Sequence, residues 1–120
     1  MRILVVDDEK SVADTLAMIL EGEGHEVAAA YDGLEALRKL DSLVPDCVIS
    51  DVIMPRMNGI ELCAIIEKRY PDSRILLFSG QASTNELIES ARANGHGWEL
   101  LPKPLDPEEL LAKLASFRAS

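Results

Sequence analysis

Short apolar runs alternate along the whole chain with longer stretches that have helical spacing. Each run has three or four residues, and the runs are Ile3–Val6, Val27–Ala30, Cys47–Ser50, Ile75–Phe78 and Glu99–Leu101. Between the first two runs, apolar residues recur at i, i+4, i+7 and i+8, which predicts one buried helical face. These residues are Val12, Leu16, Ile19 and Leu20. Gly22 and Gly24 are predicted to end this helix.

Four later stretches carry the sequence signals of a helix N-terminus. Asp32, Asn58 and Ser83 are each followed three residues later by a glutamate, which is the spacing of a capping box. Asp106 precedes a proline and two glutamates, a pattern that suits a cap and an acidic first turn. Gly95 is predicted to end the fourth helix. Five strands therefore alternate with five helices.

This alternation predicts an α/β fold, a flavodoxin-like (βα)5 three-layer sandwich in a single domain over residues 1–120. Continuous apolar strands that alternate with helices indicate a parallel sheet covered on both faces. Right-handed crossovers leave few topologies, and 2-1-3-4-5 is a common order for five strands. Pro102 cannot donate to a strand ladder, which places the fifth strand at an edge.

Polar side chains follow four of the five predicted strands. Asp7 and Asp8 follow the first strand, Asp51 the third, Ser79 the fourth and Lys103 the fifth. Ligands of open parallel sheets bind beyond the carboxyl ends of the strands. Because the predicted order makes the first and third strands neighbours, we expect three carboxylates to converge there, with a hydroxyl and an ammonium facing them.

Such a carboxylate cluster predicts a divalent cation and phosphoryl chemistry. Burying repelling carboxylates unpaired is costly, and Mg²⁺ accepts one or two carboxylates with waters and a phosphate. Asp51 could then attack phosphorus and form an aspartyl-phosphate, while Mg²⁺ and Lys103 neutralise the transferring oxygens and Ser79 donates a hydrogen bond. Alternatively, Asp7 and Asp8 only cap the first helix, but a single cap uses one aspartate and leaves Asp51 unexplained.

Charge and composition exclude several classes of function. Twelve basic residues face 21 acidic ones, giving a formal charge of −9, which disfavours direct binding to nucleic acid or to anionic membranes. No apolar run approaches the ~18 residues of a membrane span, so we expect a cytoplasmic protein without membrane association. Cys47 and Cys63 lack a C-x-x-C arrangement and are predicted to be buried, reduced thiols.

Five short motifs occur in one order at the ends of the predicted strands. They are Asp7-Asp8-Glu9, Asp51-Val52-Ile53-Met54-Pro55, Gly59, Ser79-Gly80 and Lys103-Pro104. With these motifs the chain resembles, over its whole length, the receiver domain of bacterial response regulators. Each motif is weak alone, whereas the five together in this order are highly specific.

The resemblance implies a role for each polar residue. Asp51 would be the phospho-acceptor, with Asp8 and Asp51 as direct Mg²⁺ ligands and Asp7 acting through water. The backbone carbonyl of Ile53 would be a further metal ligand, and Mn²⁺ can substitute. Ser79 would be the switch hydroxyl and Lys103 the phosphate-binding lysine, with a cis bond between Lys103 and Pro104.

The resemblance also implies partners. The donor would be a histidine kinase or a histidine phosphotransfer protein, for which small acyl phosphates can substitute. The protein would not be an enzyme beyond catalysing its own phosphorylation and dephosphorylation. A downstream effector or a second copy of the chain would bind the face of helix four, strand five and helix five. The residues expected there are Leu87, Arg92, Trp98 and Leu110 or their neighbours.

One region departs from the family pattern. Receivers usually carry Tyr or Phe three residues before the lysine, where this chain has Leu100. Trp98 replaces that aromatic through a bulge, or Leu100 serves without one, or Trp98 only covers apolar surface between the fourth and fifth helices. His25 and His96 are predicted to be solvated or hydrogen-bonded histidines outside the acidic cluster.

Three other classes of protein fit the sequence less well. A magnesium phosphohydrolase would need a second aspartate two residues after Asp51, where Ile53 stands. A flavin-binding protein would need a hydroxyl-rich phosphate loop after the first strand, where Asp7 and Asp8 would repel a phosphate. A pseudo-receiver, acting as a phosphorylation-independent interaction module, would normally lack part of the acidic set or the lysine, and this chain keeps both.

Overall fold

The computed structural model describes residues 1–80, 84–103 and 105–119, and within them five strands alternate with five helices. The strands are β1 Arg2–Val6, β2 Glu26–Ala30, β3 Cys47–Asp51, β4 Arg74–Ser79 and β5 Glu99–Pro102. The helices are α1 Lys10–Gly22, α2 Gly33–Lys39, α3 Gly59–Arg69, α4 Thr84–Ala93 and α5 Pro107–Ala119. The predicted alternation is confirmed, with each strand one or two residues longer than its apolar run.

The strands form one parallel sheet in the order β2-β1-β3-β4-β5, which confirms the predicted topology. In the register of neighbouring strands, Asp51 lies beside Phe78 and Ser79 lies beside Pro102. The fifth strand is at an edge, as Pro102 predicted. Consequently the ends of β1, β3, β4 and β5 lie side by side along one edge of the sheet.

The core occupies both faces of the sheet, because successive strand residues point in opposite directions. On one face, Ile3 and Val5 pack with residues of α1 and α5 such as Leu16 and Leu114. On the other face, alternate residues pack with α2 and α3, and the apolar cluster around Val52 and Cys63 draws in Ile88 of α4. These two apolar layers make the three-layer sandwich that the sequence predicted.

Two of the predicted helix caps are confirmed and one is wrong in part. Asn58 and Glu61 form a complete, reciprocal capping box at the start of α3. The Asp106 side chain accepts from the backbone N–H of Glu108 at 2.9 Å. The Asp32 side chain caps α2, but Glu35 accepts from the backbone of Tyr31 instead of Asp32. The cap predicted at Ser83 lies outside the described residues.

Both cysteines are buried and free, as predicted. Burial raises the pKa of Cys47 to about 12 and raises the pKa of Cys63 above its ordinary value. The thiols are therefore protonated, inert parts of the core. Among the described residues, no helix is both long enough and apolar enough to cross a bilayer.

Candidate functional site

Three aspartates converge where β1 and β3 end. Asp7 is fully buried, Asp51 is nearly so, and Asp8 is exposed. One carboxylate oxygen from each lies within 4.8 Å of the others, a spacing that a single metal ion can bridge. The Asp7 carboxylate is also held from behind, because it accepts from the backbone N–H of Glu9 at 2.9 Å. The convergence predicted from the strand order is therefore present.

The ammonium of Lys103 closes the site from the side of β5. Lys103 Nζ lies 3.0 Å from Asp51 Oδ2 and 3.3 Å from Asp7 Oδ2, so one cation links the two buried carboxylates. The same ammonium lies 5.1 Å from the centroid of the Phe78 ring, within cation–π distance. A lysine placed in this way is a part of the site and not a solubilising surface residue.

The ionisation of these groups is set by burial and by Lys103. Burial raises the pKa of Asp51 and of Asp7 above their ordinary value, although hydrogen bonds and the nearby ammonium oppose that rise. Burial opposes the charge of Lys103, but the hydrogen bond and charge of Asp51 outweigh it, and the pKa of Lys103 is raised. The carboxylates thus carry an unfavourable negative charge that a single ammonium offsets only in part.

A divalent cation fits this donor set. The three side chains offer hard oxygen ligands, two of them buried, as Mg²⁺ and Mn²⁺ prefer. The raised pKa values of Asp7 and Asp51 mean that burial disfavours the charged carboxylates. When bound, the ion would supply positive charge that offsets this cost. Asp7, Asp8 and Asp51 are the side chains that would hold it or its waters.

The loop after β3 holds α3 directly against Asp51. A Cβ atom at Gly59 would lie 2.1 Å from the carbonyl oxygen of Asp51, so only glycine fits. The Gly59 N–H also donates to Val52 O at 2.8 Å, and the capping box at Asn58 fixes the start of the helix. Arg56, in the same loop, has a φ of 70°, which strains a residue with a side chain.

Close packing also fixes Lys103. A Cβ atom at Gly80 would lie 2.9 Å from Lys103 Cβ, so the small residue after Ser79 makes room for the lysine stem. The backbone N–H of Lys103 donates to Ser79 O at 3.0 Å, which extends the pairing of β4 with β5 to the site. Ser79 is therefore placed at the site edge, half-buried at the end of β4.

Two predicted features stay predictions. The N–H of Ile53 faces the Asp51 carboxylate at 3.4 Å, while the role of its carbonyl as a metal ligand rests on the resemblance. Pro104, and with it the predicted cis bond, lies outside the described residues.

Trp98 covers apolar surface, since it packs with Ile88 of α4 on the cluster around Val52 and Cys63. Its indole Nε1–H also donates to Glu67 Oε2 on α3 at 2.6 Å. Trp98 precedes the first residue of β5, at the opposite end of the strand from the acidic site, and its replacement of the switch aromatic stays a prediction. Leu100 occupies that position in β5 and is 37% exposed.

The face of α4, β5 and α5 differs from the prediction in part. Leu110 is fully buried against the sheet and cannot contribute to a docking face. Arg92 is exposed at the end of α4, and Leu100 is exposed on β5. The side chain of Leu87 lies outside the described residues. The helical spacing placed Leu110 on an apolar stripe but did not say which partner that stripe packs against.

Sequence reasoning missed the contacts that lock the site. Nothing in the sequence marks Phe78 as the ring beneath the lysine, because apolar strand residues look alike in a single chain. The motifs contained Gly59 and Gly80, but the close approaches that require glycine there are visible only in three dimensions. The cluster of Glu67, His96 and Trp98 was likewise missed, since Glu67 is 29 and 31 residues away from the two rings along the chain.

Fold and site together define a doubly wound α/β protein with an acidic, lysine-closed pocket at the carboxyl ends of its strands. A sequence model of the response regulator receiver domain matches residues 3–115. The chain belongs to that family, the receiver domains of two-component response regulators.

Relatives and solved structures agree with this assignment. The response regulator MprA of Mycobacterium avium is 40% identical over 117 residues, which cover 98% of this chain and 50% of that protein. The chain thus spans about half the length of the curated relatives it matches. The Vibrio cholerae chemotaxis protein CheY4 superposes with a TM-score of 0.84 at 35% identity, covering 97% of each chain. A receiver domain from Methanospirillum hungatei gives a TM-score of 0.84 at 33% identity, covering 96% of this chain and 90% of that one.

Proposed function

We propose that this receiver accepts a phosphoryl group on Asp51 in a Mg²⁺-dependent reaction and changes conformation in response. The observation that carries the proposal is the contact of Lys103 with both buried carboxylates, beside a third carboxylate at metal-bridging distance. The phosphorylation, the metal and the site residues are inferences from this geometry and from the family. We also propose that the protein is cytoplasmic.

The transfer would form a P–O bond to Asp51 and break the P–N bond to a donor histidine. The donor imidazole leaves with the bonding electron pair and takes up a proton from solvent. Mg²⁺, when bound, would lower the charge on the phosphoryl oxygens and on the carboxylates around them. Lys103, already 3.0 Å from the acceptor carboxylate, would neutralise a phosphoryl oxygen.

The phosphoryl group would then act through the elements that leave the site. It adds a charge of about −1.5 to −2, as in other phosphorylated residues. Ser79 and Lys103 lie at the ends of β4 and β5, so a movement of either toward the phosphate displaces the segments leading into α4 and α5. We infer a two-state shift that changes the α4, β5 and α5 face, where an effector or a second copy of the chain would bind.

A groove beside Lys103 offers a route of approach for the donor. A cavity of about 640 Å³ lies between α1 and α5 and reaches Lys103 and Gly80. Its walls include Leu16, Ile19 and Leu105, which present apolar surface next to the acceptor site. We infer that a histidine kinase or histidine phosphotransfer protein packs here, while the formal charge of −9 opposes direct binding to nucleic acid.

The alternative of a pseudo-receiver finds no support. The three aspartates and Lys103 are present, and their contacts are those that phosphoryl transfer to Asp51 would require. The comparisons likewise name response regulators and chemotaxis receivers. We therefore also propose that the chain has no separate substrate and catalyses only its own phosphorylation and dephosphorylation.

Intact mass after incubation with acetyl phosphate and Mg²⁺ tests this proposal. We expect one added phosphoryl group on the parent chain, and none on Asp51→Asn or after chelation of the metal. Binding of beryllofluoride with Mg²⁺ detects the acceptor even if the phosphate is short-lived. Absence of both the added mass and beryllofluoride binding would overturn the proposal.

A further inference from the structure

One carboxylate on α3 holds two aromatic rings of the segment between α4 and β5. The Trp98 indole donates to Glu67 Oε2 at 2.6 Å, and His96 Nδ1–H donates to Glu67 Oε1 at 2.7 Å. The two rings stack on each other, with centroids 4.3 Å apart and planes at 17°. We call Glu67, His96 and Trp98 the Glu67 clamp.

The clamp is built well enough to act as a restraint. The His96 side chain is 23% exposed and the Glu67 side chain 41% exposed, so water competes only in part for these hydrogen bonds. Hydrogen bonds to an ionised carboxylate are shorter and stronger than neutral ones, and both oxygens of Glu67 are used here. Trp98 also packs against the apolar cluster of Val52, Cys63, Ile75 and Leu77.

The clamp joins the far ends of two elements whose near ends meet at Asp51. Helix α3 begins at Gly59, which is pressed against the Asp51 carbonyl, and carries Glu67 near its other end. Strand β5 begins directly after Trp98 and leads to Lys103, which contacts the Asp51 carboxylate. A shift of β5 relative to α3 therefore strains the clamp.

Strand β5 is attached to the sheet along one side, through its ladder with β4 and the packing of Leu101 on the core. It is a four-residue edge strand, three of its residues are exposed, and in the described residues it pairs with β4 alone. An ion pair between Glu99 and Lys113 links it to α5, but both of those side chains are about one-third to one-half exposed. The clamp therefore attaches the start of this segment to α3, while the more buried ion pairs of Lys103 with Asp7 and Asp51 attach its other end.

We propose that the Glu67 clamp holds the α4–β5 connection in its resting position and so sets the equilibrium between the resting and phosphorylated conformations. This inference rests on the proposed phosphoryl switch. If the resting position is favoured by the clamp, the activated conformation is a minor state, and any ligand of that state binds with an affinity reduced by its small population. Releasing the clamp should raise that population. Glu67 is a positioning residue in this account.

The test is calorimetric titration of beryllofluoride with Mg²⁺ into the parent chain, three single variants and one double variant. Glu67→Ala removes the carboxylate, and Trp98→Phe keeps a ring but removes the indole donor. The matched control is Glu89→Ala, which deletes an exposed carboxylate from α4. We expect about three- to tenfold tighter binding for Glu67→Ala and a smaller gain for Trp98→Phe, as a population shift requires. Glu89→Ala should bind with the affinity of the parent chain. The double variant of Glu67→Ala and Trp98→Phe should bind no more tightly than Glu67→Ala alone, because the clamp is already broken.

A second readout separates a switch from a merely structural contact. Trp98 is the single tryptophan, so its indole N–H gives one resonance. In the parent chain and in Glu89→Ala that resonance should move when beryllofluoride binds, because the activated conformation opens the clamp. Equal affinities in parent and Glu67→Ala, or an indole resonance that beryllofluoride leaves unmoved, would overturn the clamp proposal. If the parent itself bound no beryllofluoride, the phosphoryl switch would fail first.

Discussion

At the scale of single residues, the site is a compromise between stability and chemistry. Asp7 and Asp51 are buried carboxylates, and burial raises the pKa of each. Lys103 offsets part of their charge, and a divalent cation would offset more. Such conflicts between folding and charge cluster at functional positions, because a metal and a phosphoryl group resolve them only when bound.

The first prediction follows from the sign of that shift. Below the ordinary Asp pKa of 3.8, the Asp51 carboxyl is protonated in both the folded and unfolded states. As pH rises through the raised folded-state pKa, the fold loses the stability that this group contributed. Asp51→Asn removes the loss, so in chelator at pH 7 it should raise the free energy of unfolding.

Urea denaturation at several pH values measures this effect. The gain of Asp51→Asn over the parent should be absent near pH 3 and grow as pH rises to neutrality. Glu89→Asn, an exposed carboxylate on α4, is the control. A pH-independent difference, or a loss of stability at neutral pH, would contradict the account.

A second prediction concerns the strained backbone at Arg56. With a φ of 70°, this residue is in a conformation that glycine adopts without steric cost. Arg56→Gly should therefore raise the free energy of unfolding by about 0.5 kcal/mol. The backbone strain that glycine relieves in the folded state outweighs the conformational entropy that it adds to the unfolded chain. Arg38→Gly, in helical backbone, should lower it. If Arg56→Gly is destabilising by as much as Arg38→Gly, the loop is not strained.

At the scale of elements, the first residue of α3 packs directly against the backbone of Asp51. The Cβ atom of Gly59→Ala would meet the Asp51 carbonyl at 2.1 Å, which requires the helix or the loop to move. We expect a loss of about 2 kcal/mol or more in the free energy of unfolding, because backbone atoms cannot yield as a flexible side chain does.

The matched variant is Gly22→Ala, in α1. No atom lies within 4 Å of its added Cβ, and alanine favours a helix, so it should be neutral or slightly stabilising. Equal effects of the two substitutions, measured by urea denaturation, would show that the close approach at Gly59 does not constrain the fold.

Most of the elements could be predicted from local pattern, and their tertiary partners could not. Apolar runs and capping spacings located the strands and helices, and strand order then brought Asp7, Asp8 and Asp51 together. The contact of Trp98 with Glu67 could not be predicted, because the two residues are 31 positions apart along the chain. Glu35 has the capping-box spacing, yet its carboxylate accepts from the backbone N–H of Tyr31, in the bend between β2 and α2.

At the scale of the whole molecule, the acidic cluster is a product of folding, because residues far apart along the chain supply its carboxylates. A cation that binds the folded acidic cluster must stabilise the whole domain, because the unfolded chain has no such cluster. We expect Mg²⁺ at tenfold its Kd to raise the free energy of unfolding by about 1.4 kcal/mol. Thermal unfolding with and without Mg²⁺ measures this, and Asp51→Asn should respond less. An equal response in both chains would place the metal elsewhere.

The central claim is that Asp51 is the residue that accepts the phosphoryl group. Treatment with acetyl phosphate and Mg²⁺ followed by borohydride converts an aspartyl-phosphate to homoserine, which peptide mass spectrometry locates. The account predicts homoserine at position 51 alone, with none formed in chelator. Homoserine at Asp7 or Asp8, or at position 51 without a divalent cation, would contradict it.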